Sequence, residues 1–221
     1  MTADKRQNMI DVALSFVGTT EGSRSHKAIV DTYNKIVPLP RGYKLKDTDA
    51  WCAAFISACA SISGNLDAIP AECGCPEMIK AFDKRKQYYP LSTSVFPIIP
   101  GTIVFYDWDG DKIADHVGIV VKGPDNTSIE VCEGNYNNGV GIRHVGKSNK
   151  NILGYAFPAY AISVPEWKTE AIAFCKKWGI SDGENPDKPA SRVEVMAMCE
   201  RTIKAVIAMF EQAYDESKKG V

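Results

Sequence analysis

Hydrophobic positions recur with helical spacing in the first half of the chain and alternate like strands in the second. Met9, Ile10, Ala13, Leu14 and Phe16/Val17 fall on one helical face between Asp4 and Val17, and Gly18 stops the run. A second helix is predicted over Ser25–Ile36, ending before Pro38 and Pro40. Residues Ala53 to Ile62 are small and apolar on every side without Gly or Pro, which predicts a buried helix that ends at Gly64. Pro76 opens a fourth helix, Glu77 to about Lys86, with Met78, Ile79 and Phe82 on one face.

After Pro100-Gly101 the runs become short and rich in β-branched and aromatic residues: Thr102–Tyr106, His116–Val121, Ser128–Glu133, Val140–His144 and Ile152–Phe157. Gly, Asp, Asn or Pro bound each of them. Helices followed by a meander of about five antiparallel strands predict an α+β domain rather than alternating βαβ units. Pro165 marks a boundary. Beyond it two helices are expected, Glu166–Trp178 and Arg192–Ala213, joined by a Gly/Pro/Asp turn. The predicted domains are therefore 1–163 and 164–221. A two-helix domain is marginal alone, so it should pack on the first domain or on a copy of itself.

Composition narrows the function classes. A chain of 221 residues with 45% hydrophobic residues, 24% charged residues and a formal net charge of -1 has no general attraction to nucleic acid or anionic lipid. No run approaches the length of a membrane span, and the N-terminus lacks an apolar signal core. Synthesis in the cytoplasm without a signal peptide is expected, with free thiols among the seven cysteines. Cys73-Gly-Cys75 is the one close pair, without zinc-type CxxC spacing, and three histidines give a metal site little support.

Cys52 heads the buried helix. Asp47, Thr48 and Asp49 just before it are the residue types that cap helix N-termini. In the first turn, the helix dipole and unpaired N–H groups favour a thiolate and could hold an oxyanion. A lone cysteine there could equally be a buried structural residue. His116 starts a strand that then runs apolar, which makes it the best-placed base among the histidines. His144 lies late in a strand beside Arg143, and His26 lies in a polar helix expected to be exposed. Glu133 ends the following strand, and a hairpin would set it beside His116 at one edge of the sheet. Cys52 attacking, His116 moving the proton and Glu133 holding the imidazole tautomer is the logic of nucleophilic catalysis. Asn135, just past the strand, could orient the histidine or bind substrate, or simply form a turn with Glu133 and Gly134. Asp107, Asp109, Asp111 and Asp115 alternate as calcium ligands can, but Glu is missing at the twelfth position of an EF-hand pattern. An acidic hairpin turn is the preferred reading of that loop, with calcium as the alternative.

Trp51-Cys-Ala-Ala-Phe, Gly101-Thr-Ile-Val-Phe-Tyr-Asp-Trp-Asp-Gly, Asp115-His-Val-Gly-Ile and Glu133-Gly-Asn resemble, in order and spacing, the CHAP family over roughly residues 5 to 160. These are cysteine- and histidine-dependent amidohydrolases and peptidases of peptidoglycan with a papain-like fold shared with NlpC-type hydrolases. The resemblance implies Cys52 as nucleophile, His116 as base, and Glu133 with Asn135 as the residues that orient it; some members bind calcium, at positions that precede the nucleophile, and no cofactor is expected here. The first choice for an oxyanion donor is the Cys52 backbone N–H, with a side chain from Lys46–Asp49 as the alternative. Cys73-Gly-Cys75 is similar to a Glu-Cys-x-Cys segment of endolysin-like members from phages and prophages, where no metal is implied; these thiols are accordingly read as inert. The tail resembles a single S-layer-homology-like unit, which implies binding of a secondary cell-wall polymer or, through its helices, a homo-oligomer. The expected function is an endolysin-like peptidoglycan hydrolase, released to the wall through a holin. A silent wall-binding module and a thiol-dependent peptidase or acyltransferase on another substrate are the alternatives.

Overall fold

Asp4 starts the first helix by accepting hydrogen bonds from the Arg6 and Gln7 backbone N–H groups, at 2.9 and 3.4 Å. That helix, α1, runs Lys5–Ser15 in the computed structural model of the chain. The structure describes residues 4–93, 98–123, 128–146, 149–160, 172, 174–181 and 192–218. Ser23 caps α2, Arg24–Asn34, through the His26 N–H. The buried helix α3 spans Cys52–Ile62, and α4 spans Cys75–Lys84 with Pro76 in its first turn.

The strands follow: β1 Tyr88–Pro90, β2 Ile103–Tyr106, β3 His116–Lys122, β4 Ser128–Glu133, β5 Gly141–Gly146 and β6 Ile152–Ala156. They form one antiparallel sheet in the order β1-β6-β2-β3-β4-β5. The α+β reading holds, with six strands rather than about five. The addition is β1, a short edge strand that ends on a proline, where a missing N–H costs no pairing.

Alternation divides the sheet between two cores. Ile103, Phe105, Val117, Ile119 and Cys132 pack against Met9, Ile29, Phe55 and Ile56 of the helices. Val104, Tyr106, Val120, Val131 and Val145 form a second cluster. Along β3, His116 and Gly118 share a face with Val120, and Glu133 shares that face with Val131 on β4. The sheet thereby sets its polar residues beside one another before any of them makes a bond.

The chain divides into two units, Met1–Ser163 and Val164–Val221. In the second, α5 runs Arg192–Lys218, beyond the expected end at Ala213. Pro165, most of the expected helix Glu166–Trp178 and the connection beyond Ser181 lie outside the described residues. Among the described residues, no helix is long and apolar enough to cross a membrane.

Candidate active site

Cys52 occupies the first position of α3, with Trp51 as the N-cap residue. The expected side-chain cap is not made, because Asp49 serves its own loop. Its Oδ2 accepts from the Lys46 N–H at 2.8 Å and from the Tyr43 hydroxyl at 2.9 Å. The donation from Lys46, then that from Tyr43, holds the Asp49 carboxyl below its usual range. The α3 terminus therefore keeps its N–H groups free of a side-chain cap, and the Ala53 N–H helps to lower the Cys52 pKa. Trp51 fixes the approach to the helix. It is fully buried, its Nε1 donates to Glu21 Oε2 at 3.1 Å, and its ring lies 4.7 Å from that of His26.

His26 is thus buried, contrary to the expectation that it is exposed. It lies on the inner face of α2 with Ile29, Val30 and Tyr33, and its Nδ1 accepts from the Gly22 N–H at 3.1 Å. His144 is exposed on β5. His116 is the histidine close enough to Cys52 for each to shift the acidity of the other. His116 Nε2 lies 3.1 Å from Glu133 Oε2. Glu133 is completely buried and His116 only 7% exposed, so this pair interacts in a low-dielectric setting where alignment is strongly held.

Gly118 makes the His116–Glu133 bond fit. A Cβ at that position would lie 2.7 Å from Glu133 Cγ and 2.5 Å from Val131 Cγ1. The acid side chain crosses the space that the missing Cβ leaves open. Gly134 does the same for the helix: a Cβ there would lie 2.4 Å from Phe55 Cβ, so β4 could not end this close to α3.

Two residues of the site lay outside the sequence-based expectation. Arg143 Nε donates to both oxygens of Glu133, at 3.0 and 2.8 Å, and its guanidinium lies 4.4 Å from the Tyr136 ring centre and 5.2 Å from that of Trp108. Held between aromatic faces, it compensates the buried carboxylate. The second is Cys75, the first residue of α4, whose Sγ lies 3.5 Å from that of Cys52. Cys75, read from the sequence with Cys73 as inert, thus lies against Cys52. Cys73 instead receives a hydrogen bond from Arg41 Nη2 at 3.1 Å.

These contacts order the acidities. The hydrogen bond with Cys75 lowers the Cys52 pKa; burial opposes this, and the hydrogen bond and charge of His116 with the Ala53 N–H complete a net shift well below the usual thiol value. Burial alone would push His116 down, but Cys52 and then Glu133 outweigh it and bring its pKa up to about 9. Because each of Cys52 and His116 shifts the other, their titration belongs to the pair and not to either residue. In other thiols burial is not outweighed, and it pushes Cys132 up to about 12 and Cys59 well above its ordinary value.

Asn135 follows the acid with a left-handed φ of 55°, and Asn137 and Asn138 adopt the same conformation. Asn137 and Asn138, but not Asn135, line a cleft of about 610 Å³ with Thr20, Glu21, Gly22, Asp47 and Thr48. Asp107 accepts from the Gly110 and Lys112 N–H groups, Asp109 from Asp111, Asp111 from Ile113, and Asp115 from Trp108. Carboxylate oxygens of Asp107, Asp109 and Asp115 lie within 4.8 Å of one another. Their hydrogen bonds are those of an acidic turn, with Asp111 outside the group of three.

Residues 43–135 match the CHAP domain. The matched stretch contains Cys52, Cys75, His116, Glu133 and Asn135 and stops short of Arg143. Two crystal structures of Ly7917 are similar to this chain, one of them with the hydrolyzing product of MDP. The first aligns at 13% identity and a TM-score of 0.43, and the second at 12% and 0.41. Each alignment covers 69% of this chain and 62% of the Ly7917 chain. No curated protein matches the sequence.

Proposed function

We propose that the protein is a peptidoglycan hydrolase that cleaves an amide bond through a Cys52 acyl-enzyme. The observation that supports this most is the buried His116–Glu133 hydrogen bond, with His116 close enough to Cys52 to lower its pKa, inside the stretch that matches the CHAP domain. The Cys52 thiolate attacks the carbonyl carbon, and the backbone N–H groups of the uncapped α3 terminus, that of Cys52 first, stabilise the oxyanion. His116 gives its proton to the departing amine, then takes one from the water that attacks the acyl-enzyme. Glu133 holds the imidazole in one tautomer and stabilises its cation without taking the proton. Asn135, two residues beyond the acid, orients His116 or binds substrate. The bond is in the stem peptide, in the cross-bridge, or between muramic acid and L-alanine, making the enzyme an endopeptidase or an N-acetylmuramoyl-L-alanine amidase. An endolysin of a phage or prophage, released to the wall through a holin, is the setting that fits.

In this reading the unit Val164–Val221 binds a secondary cell-wall polymer or joins two copies. Val195, Met196, Ile203 and Ile207 of α5 are exposed, which favours association.

A zymogram on purified cell walls, with mass analysis of the released fragments, tests the function and names the bond. Wild type should clear the walls and release new amine and carboxyl ends, whereas folded Cys52→Ser should not. Clearing by Cys52→Ser would end the proposal. Binding without cleavage by wild type would favour a silent wall-binding module, and cleavage confined to peptides unrelated to the wall would favour a different thiol hydrolase.

A further inference from the structure

Cys52 and Cys75 each hold the first position of a helix, and the N-termini of α3 and α4 bring their sulfurs to 3.5 Å. Each residue is only 5% exposed. A disulfide is about 2.05 Å long, so the sulfurs need approach by only about 1.5 Å to bond. The other neighbouring thiols are engaged elsewhere. Cys132 Sγ faces the Ala13 carbonyl at 3.5 Å, and Cys73 is held by Arg41.

We propose that Cys52 and Cys75 are a peroxide-sensitive dithiol, in which Cys75 resolves oxidised Cys52 as a reversible disulfide. The Cys52 thiolate attacks one peroxide oxygen, the O–O bond breaks, and Cys52 becomes a sulfenic acid. The departing hydroxide takes the imidazolium proton of His116 and leaves as water. Cys75 sulfur then attacks the Cys52 sulfur, the S–O bond breaks, and the hydroxyl leaves with the Cys75 thiol proton as a second water. The two sulfurs lose two electrons and hydrogen peroxide gains them. A dithiol reverses the bond by exchange. The lowered pKa of Cys52 supplies the thiolate that peroxide needs. Closing the disulfide removes the nucleophile from use and protects it from the sulfinic and sulfonic states.

The full-length protein is titrated with hydrogen peroxide, blocked with iodoacetamide and digested for peptide mass mapping. Hydrolysis of purified walls is followed before and after dithiothreitol. The expected product is a Cys52–Cys75 peptide pair lighter by two hydrogens than its reduced parts, with activity restored by dithiothreitol. In Cys75→Ala and Cys75→Ser, Cys52 should pass to sulfinic acid, and dithiothreitol should recover at least about tenfold less of each variant's starting activity. Cys73→Ser should keep the cross-link. Sulfinic Cys52 in wild type beside alkylated Cys75, or a cross-link from Cys52 to Cys73, overturns the proposal. Wild-type mapping decides even if both Cys75 variants misfold. It also reads the bond independently of wall hydrolysis: a Cys52–Cys75 cross-link in a protein inert on walls would sink the hydrolase reading alone.

Discussion

Replacing His116 by Ala tests the pairing from the side of the thiolate. With its pKa lowered well below the usual thiol value, Cys52 should keep a larger thiolate fraction at pH 6.5 than an ordinary thiol does. Without the imidazolium the thiol returns toward its ordinary pKa of about 8.5, which leaves about one thiolate in a hundred at that pH. A more basic thiolate is also a better nucleophile, and the Brønsted dependence gives back about tenfold over two pKa units. The net slowing of Cys52 alkylation is therefore about tenfold. The Cys75 and Ala53 donors reduce that loss, and the burial of the sulfur increases it. The assay is iodoacetamide labelling across pH 6–9, quantified on the Cys52 peptide so that Cys75 cannot stand in for it. Wild type should give a nearly flat profile, while His116→Ala should climb about tenfold per pH unit to its new pKa. Glu133→Gln keeps a polar side chain against Nε2 and should slow alkylation less. Its turnover should fall within the roughly 10²–10⁴-fold that general acid–base catalysis supplies. The upper limit has a defined sign as well. The proton for the leaving amine is lost as pH rises through about 9, the His116 pKa, and removing the Glu133 charge should move that limb downward. An unchanged, flat alkylation profile in His116→Ala refutes this account of thiolate formation.

Gly118→Ala would put a methyl group into Glu133 Cγ and Val131 Cγ1, at 2.7 and 2.5 Å. It should cost about 1–3 kcal/mol in denaturant unfolding and reduce turnover more than affinity; wild-type turnover would show that Glu133 needs no clear path. Arg143→Met leaves the buried Glu133 carboxylate without its cation. It should destabilise the fold by up to about 3–5 kcal/mol, reduced by the retained His116 contact, and wild-type thermal stability would refute that compensation. Chelation by EDTA should leave wall hydrolysis unchanged, since the acidic turn is organised by its own backbone N–H groups; a loss reversed by added calcium would reinstate Asp107, Asp109 and Asp115 as ligands. A chain ending at Ser163 should cleave soluble muropeptides while binding intact walls less well or losing its oligomeric state; a folded but inactive product would mean that the tail completes the site.

Local signals determined how much was readable from sequence. Asp4 and Ser23 precede regular apolar spacing, so α1 and α2 were legible to within two residues. β1 was not, because Tyr88–Pro90 becomes a strand only by pairing with β6. His26 was misread from its charged neighbours, although His26, Ile29, Val30 and Tyr33 already had the spacing of a buried helical face. Arg143 could have been found as well. It alternates with Val145 and sits opposite Val131 in the β4–β5 pairing, on the face that Glu133 shares. Cys75 offered no such clue. Its contact with Cys52 joins two helix ends separated by 23 residues, and no periodicity reports that.

The helix ends also divide structural from chemical work within the first unit. α1 and α2, which the proposed chemistry does not use, are capped by Asp4 and Ser23. α3 and α4, which begin with Cys52 and Cys75, have Trp51 and Gly74 at the N-cap and no side-chain cap bond. A side-chain cap is typically worth about 1 kcal/mol, and the Asp49 carboxylate that might have supplied one to α3 is tied to Lys46 and Tyr43. Such a cap would compete with the thiolate and with an oxyanion for the same donors. An acidic cap would also raise the thiol pKa by setting negative charge beside it. The missing stabilisation at α3 therefore follows from the same N–H groups that favour an ionised Cys52, and restoring it at the N-cap would oppose the proposed reaction.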